Sequence, residues 1–189
     1  MNERINLIRA SEVAGLPVVT IDGGEDAAEI KDVVYDGGRH DLLGFTLNKR
    51  GWFRGSMKSI LPTRNVAGIG RDAVMVPDAD CMLDKGDSHA ALTKPKSDFD
   101  VVGNEVVSSS GAVLGKVVDV IIETGANPKA VGYEVETADG SLFIPSSAQM
   151  GLSGENLIVP AEAEEFTNND LVGFGASVPS FRHMLGDQS

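Results

Sequence analysis

One strand pattern occurs twice in this chain, and it limits what the chain can become. Ala28-Glu29-Ile30-Lys31-Asp32-Val33-Val34-Tyr35-Asp36 and Gly115-Lys116-Val117-Val118-Asp119-Val120-Ile121-Ile122-Glu123 align on Asp32 and Asp119, 87 residues apart. Each copy follows a glycine-containing turn, Asp22-Gly23-Gly24 or Ser110-Gly111, and ends on an acid. After each aspartate an apolar residue falls at every second position: Val33 and Tyr35, then Val120 and Ile122. That alternation marks a half-buried strand, and it predicts these four side chains as core. A repeat this long implies two similar domains, because solenoid units are usually shorter.

The flanking residues repeat in the same order. Gly15-Leu16-Pro17-Val18-Val19 is answered by Gly103-Asn104-Glu105-Val106-Val107, and Leu43-Gly44-Phe45-Thr46-Leu47 by Val131-Gly132-Tyr133-Glu134-Val135. Ser59-Ile60-Leu61-Pro62 is answered by Leu142-Phe143-Ile144-Pro145, and Val74-Met75-Val76-Pro77 by Leu157-Ile158-Val159-Pro160. Residues 5–9 read as a first strand of the first copy, and Ser11 reads as the cap of one helical turn stopped by Gly15 and Pro17. Short strands, tight turns and little helix predict two small antiparallel β-barrels, since closure removes exposed edges. The expected division is a first barrel over residues 1–77, a linker over 78–100, a second barrel over 101–160 and a tail over 161–189. A cut between Ala90 and Pro95 is then expected to leave two folded halves. In the tail, Glu162, Glu164 and Glu165 start a short helix, while Gly173, Gly175 and Pro179 are expected to break a longer one.

Charge divides unevenly between the halves. Residues 1–77 hold 10 Lys+Arg and 10 Asp+Glu, whereas residues 78–189 hold 6 and 18, which is the whole net charge of −12. Within the first half, residues 42–71 carry six cations and no acid. Such asymmetry fits two surfaces with different surroundings. The single cysteine, Cys81, excludes an internal disulfide. Met1-Asn2-Glu3-Arg4 does not open a signal peptide, and no apolar run approaches the ~20 residues that span a bilayer. A cytoplasmic protein, peripheral to the inner face of a membrane at most, is the expectation.

Taken together, the glycine turns, the (Leu/Ile)-Gly-Lys-Val-x-Asp-Val strand carried by Gly115 to Asp119, Ile60-Leu61-Pro62, Ile144-Pro145 and Gly70-Arg71-Asp72-Ala73-Val74-Met75-Val76 resemble the PRC-barrel domain. That domain is known from the cytoplasmic part of the photosynthetic reaction centre H subunit and from a ribosome maturation factor. The likeness covers roughly residues 15–77 and 103–160. It departs at Ala28-Glu29, where Gly-Lys is usual, and at Gly154-Glu155-Asn156-Leu157. The resemblance implies a mainly β fold of two PRC-type barrels in tandem. It also implies a non-enzymatic docking or assembly adaptor with no shared catalytic residues, peripheral to a membrane complex of respiratory or other electron transport. The ribosomal branch gives the alternative, an RNA- or ribosome-assembly factor. The net charge of −12 opposes that alternative, because phosphate contacts supply most affinity for RNA.

Chemistry-bearing motifs are few. His40, His89 and His183 have no metal-ligand spacing, Gly68-Ile69-Gly70 lacks the third glycine of a dinucleotide fingerprint, and no Gly-Lys-Ser/Thr loop is present. No catalytic, cofactor-binding or metal residue is therefore assigned. Asp32 and Asp119 recur at one place in each copy and are read as acceptors for a neighbouring turn. The one functional-looking surface is the first barrel's hairpin, where Trp52 and Phe53 lie among Lys49, Arg50, Arg54 and Lys58. Aromatics framed by cations suit a protein hot spot or a lipid interface. The matching hairpin, Thr137-Ala138-Asp139-Gly140-Ser141, is shorter and has neither feature.

Overall fold

The computed structural model describes residues 6–36, 40–50, 55–84 and 101–185. Two seven-stranded sheets carry the two sequence copies. The first contains β2 (Pro17–Thr20), β3 (Asp26–Asp36), β4 (Asp41–Lys49), β5 (Gly55–Pro62), β6 (Gly68–Ile69), β7 (Val74–Val76) and β8 (Leu83–Asp84), in the order β6-β7-β2-β3-β4-β5-β8. The second contains β9 (Glu105–Ser108), β10 (Val113–Glu123), β11 (Lys129–Thr137), β12 (Gly140–Pro145), β13 (Gly151–Ser153) and β14 (Asn156–Val159), in the order β12-β11-β10-β9-β14-β13. A further strand, β1 (Leu7–Arg9), pairs with β10.

Register confirms that the copies share one plan. Val34 faces Gly44, and Gly44 faces Pro62; in the second sheet Ile121 faces Gly132, and Gly132 faces Pro145. Gly132 is needed there because a Cβ would stand 2.3 Å from the Ile144 carbonyl oxygen and 2.6 Å from Cζ of Phe174. The sheets depart from the expected barrels in two ways. Each contains a parallel pair, β2 with β7 and β9 with β14. Neither sheet closes on itself among the described residues.

The organising strands, β3 and β10, each carry two register shifts against the strand that follows, β4 or β11, at equivalent places. Those near the aspartates leave Lys31 and Val118 unmatched, and a bulge of this kind breaks strict alternation. In β3, Val33 and Tyr35 are only half-buried against the core, whereas Ala28, Ile30 and Val34 are the buried positions. Val120 and Ile122 are buried as predicted, and Ile121 between them is buried as well.

Ile121 owes its burial to a helix that the sequence reading broke. The expected short helix is a 3₁₀ turn at Ala161–Phe166, but α2 then runs from Leu171 to Leu185 through Gly173, Gly175 and Pro179. The Asp170 carboxylate accepts from the Val172 and Gly173 N–H groups at 2.9 Å each and so caps the first turn. Phe174 and Val178 join Ile121, Val131 and Phe143 in a second apolar cluster on the outer face of the sheet, and Phe181 enters the main core. The interior proline removes one helical hydrogen bond, at a cost of about 3 kcal/mol. Burying three large side chains offsets it, at roughly 1.5–3 kcal/mol each.

Two assigned segments also move. The strand expected in the first barrel, β1, lies on the second sheet, with Leu7, Ile8 and Arg9 opposite Glu123, Ile122 and Ile121. The beginning of the expected linker is structured: a 3₁₀ turn at Ala79–Cys81 leads into β8, which pairs with β5, and Asn65 Nδ2 donates to the Cys81 carbonyl at 2.7 Å. Residues 85–100 lie outside the described residues. One buried apolar cluster runs without a break from Val18, Phe45 and Leu61 to Val106, Tyr133 and Leu157.

Candidate functional site: the basic hairpin and the seam between the sheets

β4 and β5 pair as far as Lys49 opposite Gly55, which leaves residues 50–54 as their connection. Lys49, Arg50 and Lys58 are exposed at its base. Arg50 is partnered, its Nε 2.9 Å from Asp26 Oδ2. Trp52, Phe53 and Arg54 lie outside the described residues. The equivalent connection of β11 and β12 is a tight turn, Thr137 opposite Gly140, in which the Thr137 hydroxyl donates to the Gly140 carbonyl at 2.8 Å.

The structure gathers several buried polar side chains elsewhere, along the seam where the two halves meet. The segment before β2 crosses that seam. After β1, the helical turn α1 (Ala10–Val13) puts Val13 into the core with no exposed surface. Its N-cap is Arg9, not Ser11, and the Arg9 N–H donates to Glu12 Oε2 at 3.1 Å. The Arg9 guanidinium donates to both carboxylate oxygens of the buried Glu134, at 2.5 and 3.3 Å, and lies 5.6 Å from the centre of the Phe143 ring. These hydrogen bonds hold Glu134 below the usual carboxyl range, although burial pushes the other way.

Ser11 serves a different purpose from the one its sequence position suggested. Its hydroxyl and its backbone N–H both donate to the buried carboxylate of Asp119. Asp119 also accepts from the Val120 N–H at 2.8 Å, as Asp32 does from the Val33 N–H at 2.9 Å. The shared aspartate is therefore a local acceptor in both copies, and only the second has been recruited to hold the crossing segment.

His40, which the sequence left in a turn, is buried at the seam with a positive φ of 58°. Its Nε2 lies 3.1 Å from the Met150 carbonyl, so that nitrogen carries the proton. Nδ1 then accepts from the Tyr133 hydroxyl at 2.5 Å, and the Tyr133 oxygen accepts from the Tyr35 hydroxyl at 2.5 Å. Tyr35 and His40 each meet the Tyr133 ring edge-on, with centroids 6.4 and 6.2 Å apart. Burial lowers the His40 pKa and raises those of both tyrosines, so all three groups are neutral at physiological pH. The chain of donors is thus fully directed and joins β3, β11 and the loop at Met150. A cleft of about 380 Å³ opens beside it, lined in part by His40, Asp41, Lys129 and Arg182.

This geometry gives a pH prediction. Because the His40 pKa is depressed in the folded chain, its contribution is complete above the unfolded value of ~6.5 and is lost as pH falls through the folded value. The wild-type melting temperature should fall between pH 7.5 and 5.5 (a window set at roughly one unit either side of that ~6.5 value), and His40→Asn should flatten the slope. Asparagine tolerates the positive φ. Glu134 contributes in a separate window, below about 4.5. Equal slopes in both proteins would remove His40 from the account.

Among the described residues no group of three His, Cys, Asp or Glu side chains is placed to hold a metal ion. Among those residues, too, no helix is long and apolar enough to cross a membrane.

The repeated register and the plan shared by the two sheets define a tandem β-domain protein. A model of the PRC-barrel domain matches the chain twice, over residues 5–80 and 96–170, and the chain belongs to that family. A search of curated proteins finds no match.

Proposed function

We propose that this protein is a non-enzymatic docking adaptor that binds a partner protein through the hairpin of its first half. The observation that carries the reading is divergence between equivalent hairpins in one chain. The second closes in a tight turn held by Thr137 and Gly140. The first is longer and has Lys49 and Lys58 exposed at its base, with Trp52, Phe53 and Arg54 between them in sequence. The fold asks the same of both connections, so the additional aromatic and basic residues answer to something outside it. Clustered Trp and Arg are typical of interface hot spots. The seam supports an adaptor in another way: its buried polar groups are engaged with one another, which fixes the two halves as one platform.

A site on the cytoplasmic face of a membrane-bound electron-transport complex is the partner location that this reading favours. The test is affinity capture from soluble and detergent-solubilised membrane fractions. A protein partner retained after nuclease treatment supports docking, and salt-sensitive binding to RNA alone would replace it with the ribosome-assembly reading.

A further inference from the structure

A second surface lies on the other half of the molecule. The starts of β9 and β10 and the turns after β11 and β13 enclose an open cleft of about 1070 Å³. Asn104 lines it, is only 9% exposed, and has a buried Nδ2 without a hydrogen-bond partner among the described residues. An unpaired buried amide costs free energy, so its presence calls for a cause.

The fold does not supply that cause. The Asn104 N–H donates to the Val101 carbonyl at 3.2 Å, and its carbonyl accepts from the Val117 N–H at 2.9 Å. At the equivalent place in the first sheet, Leu16 makes the same two backbone bonds, to Val13 at 3.2 Å and from Ile30 at 2.9 Å. The glycines before them, Gly15 and Gly103, share a positive φ of 87° and 99°. Leucine thus meets every structural demand at this position, and the amide is additional.

The rest of the cleft indicates what the amide awaits. Val102 and Val113 are 48% and 61% exposed on its wall. Four exposed carboxylates, Glu105, Glu136, Asp139 and Glu155, surround them, with Lys116 as the single lining cation. That charge repels anionic ligands and attracts cationic ones. A buried N–H donor without an acceptor, exposed apolar side chains and a ring of carboxylates together match one chemistry. We propose that this cleft docks an extended basic segment of a partner protein in which apolar residues alternate with Lys or Arg. On docking the Asn104 side chain turns so that its amide donates to a main-chain carbonyl of the segment, the valines receive its apolar side chains, and the carboxylates face its cations. This surface is distinct from the first-half hairpin and gives the protein a second point of attachment.

Fluorescence anisotropy of a labelled (Val-Lys)₄ peptide titrated with the full chain tests the proposal. Saturable binding that weakens with salt is expected, with (Ser-Lys)₄ binding more weakly and (Val-Glu)₄ not at all. Asn104→Leu should weaken binding by about tenfold or more with a melting temperature equal to or above wild type. The exposed pair Glu136→Lys and Glu155→Lys should abolish it. Trp52→Ala with Arg54→Ala should leave it unchanged, which separates this site from the hairpin. Equal affinity of Asn104→Leu and wild type, equal binding of the serine peptide, or no saturable binding would each overturn the proposal. Salt-sensitive self-association lost in Asn104→Leu, without peptide binding, would overturn it too by giving the cleft to a second copy.

Discussion

Deleting residues 1–14 should lower the melting temperature by about 15 °C or more, or abolish the cooperative transition. In sequence the segment precedes the repeat and reads as part of the first barrel. In the structure it removes β1 from β10, takes the fully buried Val13 out of the core and leaves two carboxylates, Glu134 and Asp119, without Arg9 and Ser11. Losing a large buried aliphatic costs about 2–5 kcal/mol, and stranding a hydrogen-bonded buried carboxylate costs about 1–3 kcal/mol more. Even allowing for non-additivity, a sum near 5 kcal/mol approaches the total stability of many domains. At ~2–4 °C per kcal/mol for a chain of this size, the shift is large. Circular dichroism melts of the full-length and shortened chains check it, and a shift of only a few degrees would show that the two halves stand independently of this segment. The same contacts bear on a cut between Ala90 and Pro95, which would part the second sheet from the strand paired to it.

Ile122→Ala should destabilise the protein by about 2–4 kcal/mol, the range of buried aliphatic truncations. Ile122 has no exposed surface, faces Ile8 of β1 and belongs to the core cluster that spans both sheets. Val33→Ala, in the corresponding strand of the first copy, should cost roughly half as much or less, because Val33 is half-buried and only packs against that cluster. Denaturant melts of the two variants provide the comparison. If both cost the same, the difference in burial between Val33 and Ile122 does not set their contributions to stability.

These contrasts show what the sequence can and cannot carry. The repeat made the strand order legible because period-2 patterning and glycine turns are local, and both copies obey them. The bulges were not legible, since an unmatched residue such as Lys31 or Val118 is defined by the partner strand. Gly173, Gly175 and Pro179 counted correctly against a helix in isolation, but tertiary burial of Phe174, Val178 and Phe181 overrode propensity. The Asp170 cap was the available signal, and Gly132 was its counterpart, a glycine in a strand where another element comes close. His40 and Asn104 could not be singled out from sequence. The first depends on Met150 and Tyr133, more than ninety residues away. The second stands out only once Leu16 is seen in the same backbone role.

Docking through the first-half hairpin is tested most directly by the double variant Trp52→Ala with Arg54→Ala. Its association with the captured partner and its melting temperature are measured on the same preparation. Hot-spot residues typically cost ~2 kcal/mol or more on truncation, a loss of roughly thirtyfold in affinity. The account predicts that loss with a nearly unchanged melting temperature, because the equivalent connection between β11 and β12 closes without either residue. A lower melting temperature with unchanged affinity would contradict it and return the aromatics to the fold.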